Sequence, residues 1–189
     1  MLRIIVGISG ASGAIYGIRL LETLRSTKQV ETHLIISKGA SLTIAYETDF
    51  GLEEVKGLAD VVHSNSNLGA SVSSGSYKTA GMIIAPCSMK TLSGIAHSNA
   101  DNLLVRAADV VLKERRLLVL MPRETPLHKG HCKLLYDAAQ LGAVIAPAMP
   151  AFYSKPKSVD DIVNHSVGRI LDMFGLDTGA VKRWQGLPT

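Results

Sequence analysis

Short apolar runs, each halted by glycine, serine or proline, alternate along this chain with stretches of helical period. Arg3–Ser9 is rich in β-branched residues, ends against glycine and reads as a buried strand. Ser12–Ser26 follows as a helix, with Ile15, Ile18, Leu21 and Leu24 spaced to share one face. Val30–Ser37 repeats the strand signature, and a helical stretch continues to about Glu47. Residues 64–79 are rich in Ser, Gly and Asn and read as a long loop, of a length that is usually functional or mobile. Ala80–Ala85 is a third strand ending at Pro86, and helical patterns after it include Asn102–Arg115. Leu117–Met121 is the next strand, Pro126–Leu141 is helical, Ala143–Ala146 is a short strand before Pro147, and Val159–Phe174 is the last helix.

This alternation predicts an α/β fold: a mostly parallel sheet covered by helices on both faces, joined by right-handed crossovers. Ligands in such sheets sit beyond the carboxyl ends of the strands, at the switch point of the strand order. The residues just after each strand therefore matter most. No internal repeat and no domain boundary is visible, so one domain over residues 1–189 is expected.

Composition narrows the function. With 47% hydrophobic residues in 189, the chain can build a core without disulfides or a structural metal. Disorder is excluded by that hydrophobicity and by a net charge of only +4. The 20 Lys and Arg and 16 Asp and Glu are dispersed without a basic run, which argues against nucleic acid as a partner. No apolar run approaches the roughly 18–20 residues of a membrane span, and the N-terminal apolar stretch is too short for a signal peptide. Cys87 and Cys132 form no Cys-x-x-Cys pair and are expected to be thiols of a cytoplasmic protein.

The first turn reads Gly7-Ile8-Ser9-Gly10-Ala11-Ser12-Gly13-Ala14. Its glycines let backbone N–H groups approach a ligand, and the helix start behind it offers unsatisfied donors. Ser12 can cap that helix or donate to the ligand. The spacing G-x-x-G-x-x-G is not the dinucleotide fingerprint, and the second strand ends in Ser37-Lys38 rather than an acidic residue for a ribose. A mononucleotide fits better than NAD, and a tight turn with no ligand remains the alternative. After the third strand, Ser88 and Thr91 stand three apart at a helix start, where both hydroxyls can face one anion or simply cap. After Leu117–Met121 comes Pro122-Arg123-Glu124-Thr125-Pro126, where Arg123 can grip a phosphate and Glu124 can move a proton, or the two can form a solvated ion pair. His128-x-x-His131-Cys132 lacks a third convergent ligand, so no metal is expected. There is no G-x-S-x-G elbow, and Cys87 has no adjacent His base in sequence.

The stretch IIVGISGASGAIYGIRLL, Tyr46-Glu47-Thr48-Asp49, Pro86-Cys87-Ser88 with Thr91-Leu92-Ser93-Gly94, the run from Arg106 to Arg116, Pro122–Pro126 and Pro150-Ala151-Phe152-Tyr153 together resemble the UbiX-type flavin prenyltransferases. The resemblance extends from residue 3 to Trp184. It implies a Rossmann-like (flavodoxin-like) three-layer αβα sandwich that transfers a dimethylallyl group from dimethylallyl monophosphate to reduced FMN. The product, prenylated FMN, serves a UbiD-type decarboxylase, in many bacteria within ubiquinone synthesis. It also implies a homo-oligomer, typically a dodecamer, with sites formed where subunits meet and with contributions from the C-terminal helix and tail.

Carried onto this sequence, the family's FMN contacts fall on Gly10, Ala11, Ser12, Ser37, Ser88, Thr91 and Arg123. The prenyl-phosphate contacts fall on Arg106, Lys113, Tyr153 and Arg169, and the acid–base roles on Glu47 and Glu124, with Ser12 beside the reacting flavin edge and Lys113 at the leaving phosphate. Contacts from Ser73, Ser74 and Gly75 in the loop Ser71–Tyr77 stay unassigned, and Trp184 or Tyr153 is a candidate pocket wall. The absence of a DDxxD run fits a donor whose single phosphate is held by Arg and Lys without magnesium. Two other readings stand beside this one. A phosphopantothenoylcysteine-type decarboxylase would carry Pro-Ala-Met-Asn where this chain has Pro147-Ala148-Met149-Pro150. A flavin carrier without catalysis would use the same binding residues.

Overall fold

A near-continuous apolar run such as Ile4-Ile5-Val6-Gly7-Ile8 has no polar face to give to water, so it must be covered on both sides. The computed structural model, which describes residues 1–27 and 29–186, shows how. Two compact units make up the chain, Met1–Pro147 and the segment from Ala148 onward; of the predicted 1–189 domain, residues 187–189 lie outside the described residues.

The first unit runs β1 (Leu2–Ile8), α1 (Ala14–Ser26), β2 (Val30–Ile36), α2 (Lys38–Glu47), α3 (Leu52–Lys56), β3 (Val61–His63), β4 (Gly81–Cys87), α4 (Met89–Ala96), α5 (Leu103–Lys113), β5 (Leu117–Pro122), α6 (Lys129–Gln140) and β6 (Val144–Ile145). The strands form one sheet in the order β3-β2-β1-β4-β5-β6. Every pairing is parallel, from Leu2 opposite Val30 at one edge of β1 to Ile4 opposite Gly81 at the other. This is the doubly wound Rossmann order, and its switch point lies between β1 and β4.

Both sheet faces are covered. Gly7 faces Leu104 of α5, whereas Ile8 packs against Gly17 of α1, and adjacent strand residues point to opposite faces. Gly17 lets α1 lie directly on the sheet: a Cβ there would stand 2.4 Å from the carbonyl oxygen of Ala85. The stripe predicted for α1 is buried at Ile18, Leu21 and Leu24. On the other face, Met82 and Ile84 of β4 and Leu118 and Leu120 of β5 share one core cluster with Leu104, Ala108 and Val111 of α5.

Two elements are absent from the sequence reading. The helix α3 has five residues and β3 only three, at the sheet edge. Neither is long enough to display a period, and β3 forms because β2 offers it a free ladder edge. The loop 64–79 is irregular apart from a 3-10 turn at Ser71–Ser73. In the second unit, a 3-10 turn at Phe152–Ser154 precedes α7 (Val159–Asp172), whose start is closed by a capping box of Ser158 and Asp161.

Candidate active site

The carboxyl ends of β1 and β4 are tied by one buried side chain. Ser9 is fully buried, and its hydroxyl donates to the carbonyl of Pro86 at 2.9 Å and accepts from the N–H of Ser88 at 2.7 Å. A polar atom at that depth must be paired, and here the pairing fixes the spacing of the two loops at the switch point. Gly10 follows. A Cβ on it would lie 2.9 Å from the Cα of Gly39, so the loops after β1 and β2 touch backbone to backbone.

Between these loops opens a cavity of about 1050 Å³. Five of the predicted residues line it: Gly10, Ser37, Ser88, Thr91 and Glu124. Ser37 caps α2 by accepting from the N–H of Ala40 at 3.1 Å. Ser88 caps α4 through the N–H of Thr91 and donates to the Thr91 hydroxyl at 3.1 Å. Two helix starts thus open on one cavity, with Lys38 and Lys90 on its wall, and their positive dipole ends favour an anionic group. Glu124 is exposed and, among the described residues, accepts from its neighbour, the N–H of Thr125.

The start of α1 is different. Its N-cap is Gly13, not Ser12, and no side chain of the turn caps it. Glu47, at the end of α2, does so instead, accepting from the N–H of Gly13 at 2.8 Å and of Ala14 at 3.3 Å. The helix end expected to face a ligand phosphate therefore holds a carboxylate of the chain itself, and Ser12 is relieved of capping. Ala11 and Ser12 follow Gly10 in this turn without lining the cavity, and Arg123 is exposed just after β5, outside the lining, its N–H held by the carbonyl of Cys87 at 3.2 Å.

Loop 64–79 is tied to Arg106 of α5 and to Arg116 just after it. Arg106 pairs with Asp109 at 2.8 Å and donates from Nε to the carbonyl of Ser73. Lys113 pairs with its neighbour Glu114, and its ammonium holds the Glu114 carboxyl below the usual carboxylate range. Arg116, not singled out from the sequence, donates to the carbonyls of Gly75 and Tyr77. Asn65 binds the start of α5 through the N–H groups of Leu103 and Leu104 and also lines the cavity. For Asn65 the sequence signal was the length and composition of its loop, whereas Arg116 closes the run that carries the family resemblance without a role of its own there.

In the second unit the Tyr153 hydroxyl meets Nε2 of His165 at 3.2 Å, and its ring meets Trp184 edge to face with centroids 5.7 Å apart. Arg169 is half exposed and pairs at 2.8 Å with Asp172, which Arg183 grips as well. Cys87 is fully buried, and burial pushes its thiol up to about 12, which removes it as a nucleophile.

Comparison with known proteins agrees with this architecture. The family model described as Flavoprotein matches residues 1–171. The flavin prenyltransferase UbiX of Escherichia coli (strain K12) is 60% identical over 188 residues, covering 98% of this chain and 100% of the relative. The chain belongs to the UbiX-type flavin prenyltransferases of the Flavoprotein family. UbiX of Thauera aromatica is 59% identical over 185 residues, covering 98% of this chain and 95% of the relative. Among solved structures, AnUbiX (PadA1) in complex with FMN and dimethylallyl pyrophosphate superposes with a TM-score of 0.96 at 51% identity, over 99% of both chains. A dodecameric FMN-dependent UbiX-like decarboxylase from Escherichia coli O157:H7 gives the same TM-score and identity, over 98% of this chain and 100% of that one.

Proposed function

We propose that the chain transfers the dimethylallyl group of dimethylallyl monophosphate to reduced FMN, and that the prenylated FMN it makes serves a UbiD-type decarboxylase, with ubiquinone synthesis as the pathway. We place it in the cytoplasm, where Cys87 and Cys132 stay free thiols, and assign it a dodecameric assembly like that of its E. coli O157:H7 relative. The observation that carries the reading is the cavity at the switch point, where the Ser37 and Ser88 helix starts, the Gly10–Gly39 contact and Glu124 converge. A flavin mononucleotide fits this donor set: paired N-termini for its phosphate, and glycine backbone where a Cβ would intrude.

In this reading Gly10, Ala11, Ser12, Ser37, Ser88, Thr91 and Arg123 hold FMN. Reduced FMN, when bound, supplies the electron-rich ring that takes the allyl group. Arg106, Lys113, Tyr153 and Arg169 receive the phosphate as the allylic C–O bond breaks and its electrons pass to the leaving oxygen. One such preorganised donor typically stabilises the transition state by about 3–4 kcal/mol. Arg106 and Lys113 hold only half-exposed ion pairs with Asp109 and Glu114, which a phosphate dianion can replace. Glu124 takes a proton given up as the new bonds form. Glu47 does so only on leaving the N–H groups of Gly13 and Ala14.

The test is mass spectrometry of the flavin after anaerobic incubation with reduced FMN and dimethylallyl monophosphate. A gain of one prenyl unit is expected. Unchanged FMN bound to folded protein would instead mean a carrier. Glu47→Gln and Glu124→Gln should bind FMN and fail to complete prenylation; full activity in both removes their assigned roles.

A further inference from the structure

The unit from Ala148 onward has a cavity of its own, about 530 Å³, between the turn that follows Phe152–Ser154 and the first two turns of α7. Three of its walls are ammonium groups, from Lys155, Lys157 and Lys182. Among the described residues none of the three has an ion-pair partner within 4 Å. The one carboxylate in the lining, Asp161, is already committed: it accepts from the N–H groups of Lys157 at 2.8 Å and Ser158 at 3.1 Å, and the first of these bonds holds its carboxyl below the usual range. The cavity therefore has three cations and one anion, with that anion spent on the helix start. All three lysines are exposed, Lys155 stands in the left-handed region at φ 54°, and the Lys182 ammonium donates to the carbonyl of Ser154 at 3.5 Å, beside Lys155 in the chain. Ser154, Asn164 and His165 complete the polar lining, and His165 is buried and bonded to the Tyr153 hydroxyl.

We propose that this cavity is a second anion site that binds a phosphate-class ligand, inorganic phosphate or diphosphate, apart from the flavin cavity of the first unit. Lysine suits this task as a compact charge with three donors, and three such charges lining one cavity whose single carboxylate is committed elsewhere favour an anionic ligand. The volume exceeds what one phosphate fills, so a diphosphate or the phosphate end of a larger donor is accommodated. The inference stands on the lysines alone and does not require the prenyl-transfer reading. If that reading holds, the Tyr153–His165 bond puts the site next to a proposed donor contact, and the phosphate released there is its natural ligand.

Isothermal titration of the whole FMN-loaded protein with inorganic diphosphate tests it. Saturable binding is expected, weakened about tenfold or more in the Lys157→Gln/Lys182→Gln double variant, with a smaller loss for Lys155→Gln and with FMN affinity unchanged in both variants. Arg106→Gln/Lys113→Gln, which removes the α5 cations, should leave the lysine-dependent component of diphosphate binding as it is. A parallel titration of that α5 variant with dimethylallyl monophosphate separates the sources: displacement of diphosphate assigns the site to the donor's phosphate, and no displacement assigns it to the free anion. Absence of binding, binding indifferent to the three lysines, or loss of the lysine-dependent component with Arg106 and Lys113 would each overturn the proposal.

Discussion

Ser9→Ala probes the joint on which the flavin cavity depends. The substitution removes one oxygen from a site with no solvent exposure. The carbonyl of Pro86 keeps a partner, the N–H of Ser9 itself at 3.2 Å. The N–H of Ser88 loses its acceptor at 2.7 Å, and a buried donor left unpaired costs about 1–3 kcal/mol. A central value of about 2 kcal/mol corresponds to a fall in melting temperature of about 4–8 °C for a domain of this size. The damage should not be confined to stability. Ser88 is the N-cap of α4 and lines the cavity, so a shifted Ser88 turns one of the two helix starts away from an anionic ligand. Thermal melts followed by circular dichroism should show the drop, and flavin fluorescence titration should show weaker FMN binding. Ser88→Ala is the comparison: it keeps the Ser9 joint, loses the cap, and should cost about 1 kcal/mol. A Ser9→Ala protein that melts and binds FMN like its parent would refute the argument that this hydroxyl sets the distance between β1 and β4.

Three further outcomes follow from the same structure. Gly10→Ala should cut FMN affinity while leaving the sheet intact, because its Cβ would meet the backbone of Gly39 at 2.9 Å; unchanged affinity in a fluorescence titration would contradict the backbone contact. Stability should decline on acidification. His63 titrates low because it is desolvated and lies 2.9 Å from His33, and Asp60 titrates low because it accepts from Thr32. Both bind fewer protons folded than unfolded, so the loss through His63 begins below about pH 6.5 and that through Asp60 below about pH 4. Urea melts at several pH values should show His63→Gln flattening the upper part of that slope; an unaltered slope would count against it. With a thiol reagent at mildly alkaline pH, the native protein should expose only Cys132, and Cys87 should react after unfolding; rapid native reaction at Cys87 would contradict its burial.

The sequence by itself determined the architecture. β1, β4 and β5 are largely apolar runs with little face for water, β2 ends in the apolar Leu34-Ile35-Ile36, and between the strands lie helices whose stripes demand a sheet to pack on. That order leaves little freedom but a parallel, doubly wound sheet, and it places Gly10, Ser37, Ser88 and Glu124 at the ends of strands, where they converge. The motifs also carried the family resemblance, because its residue types fall at fixed distances along the chain. Tertiary structure decided what no local pattern encodes. β3 exists because β2 has an open edge. α1 begins at Ala14 rather than Ser12 because a carboxylate 34 residues away caps Gly13. α6 begins at Lys129 rather than Pro126 because the His128 ring accepts from the N–H groups of Gly130 and His131. The Ser9 joint, the grip of loop 64–79 on Arg106 and Arg116, and the lysine cavity beside α7 are likewise contacts between segments distant in sequence. Periodicity and composition report what a residue requires of its surroundings, whereas the partner that meets the requirement is chosen only when the chain closes on itself.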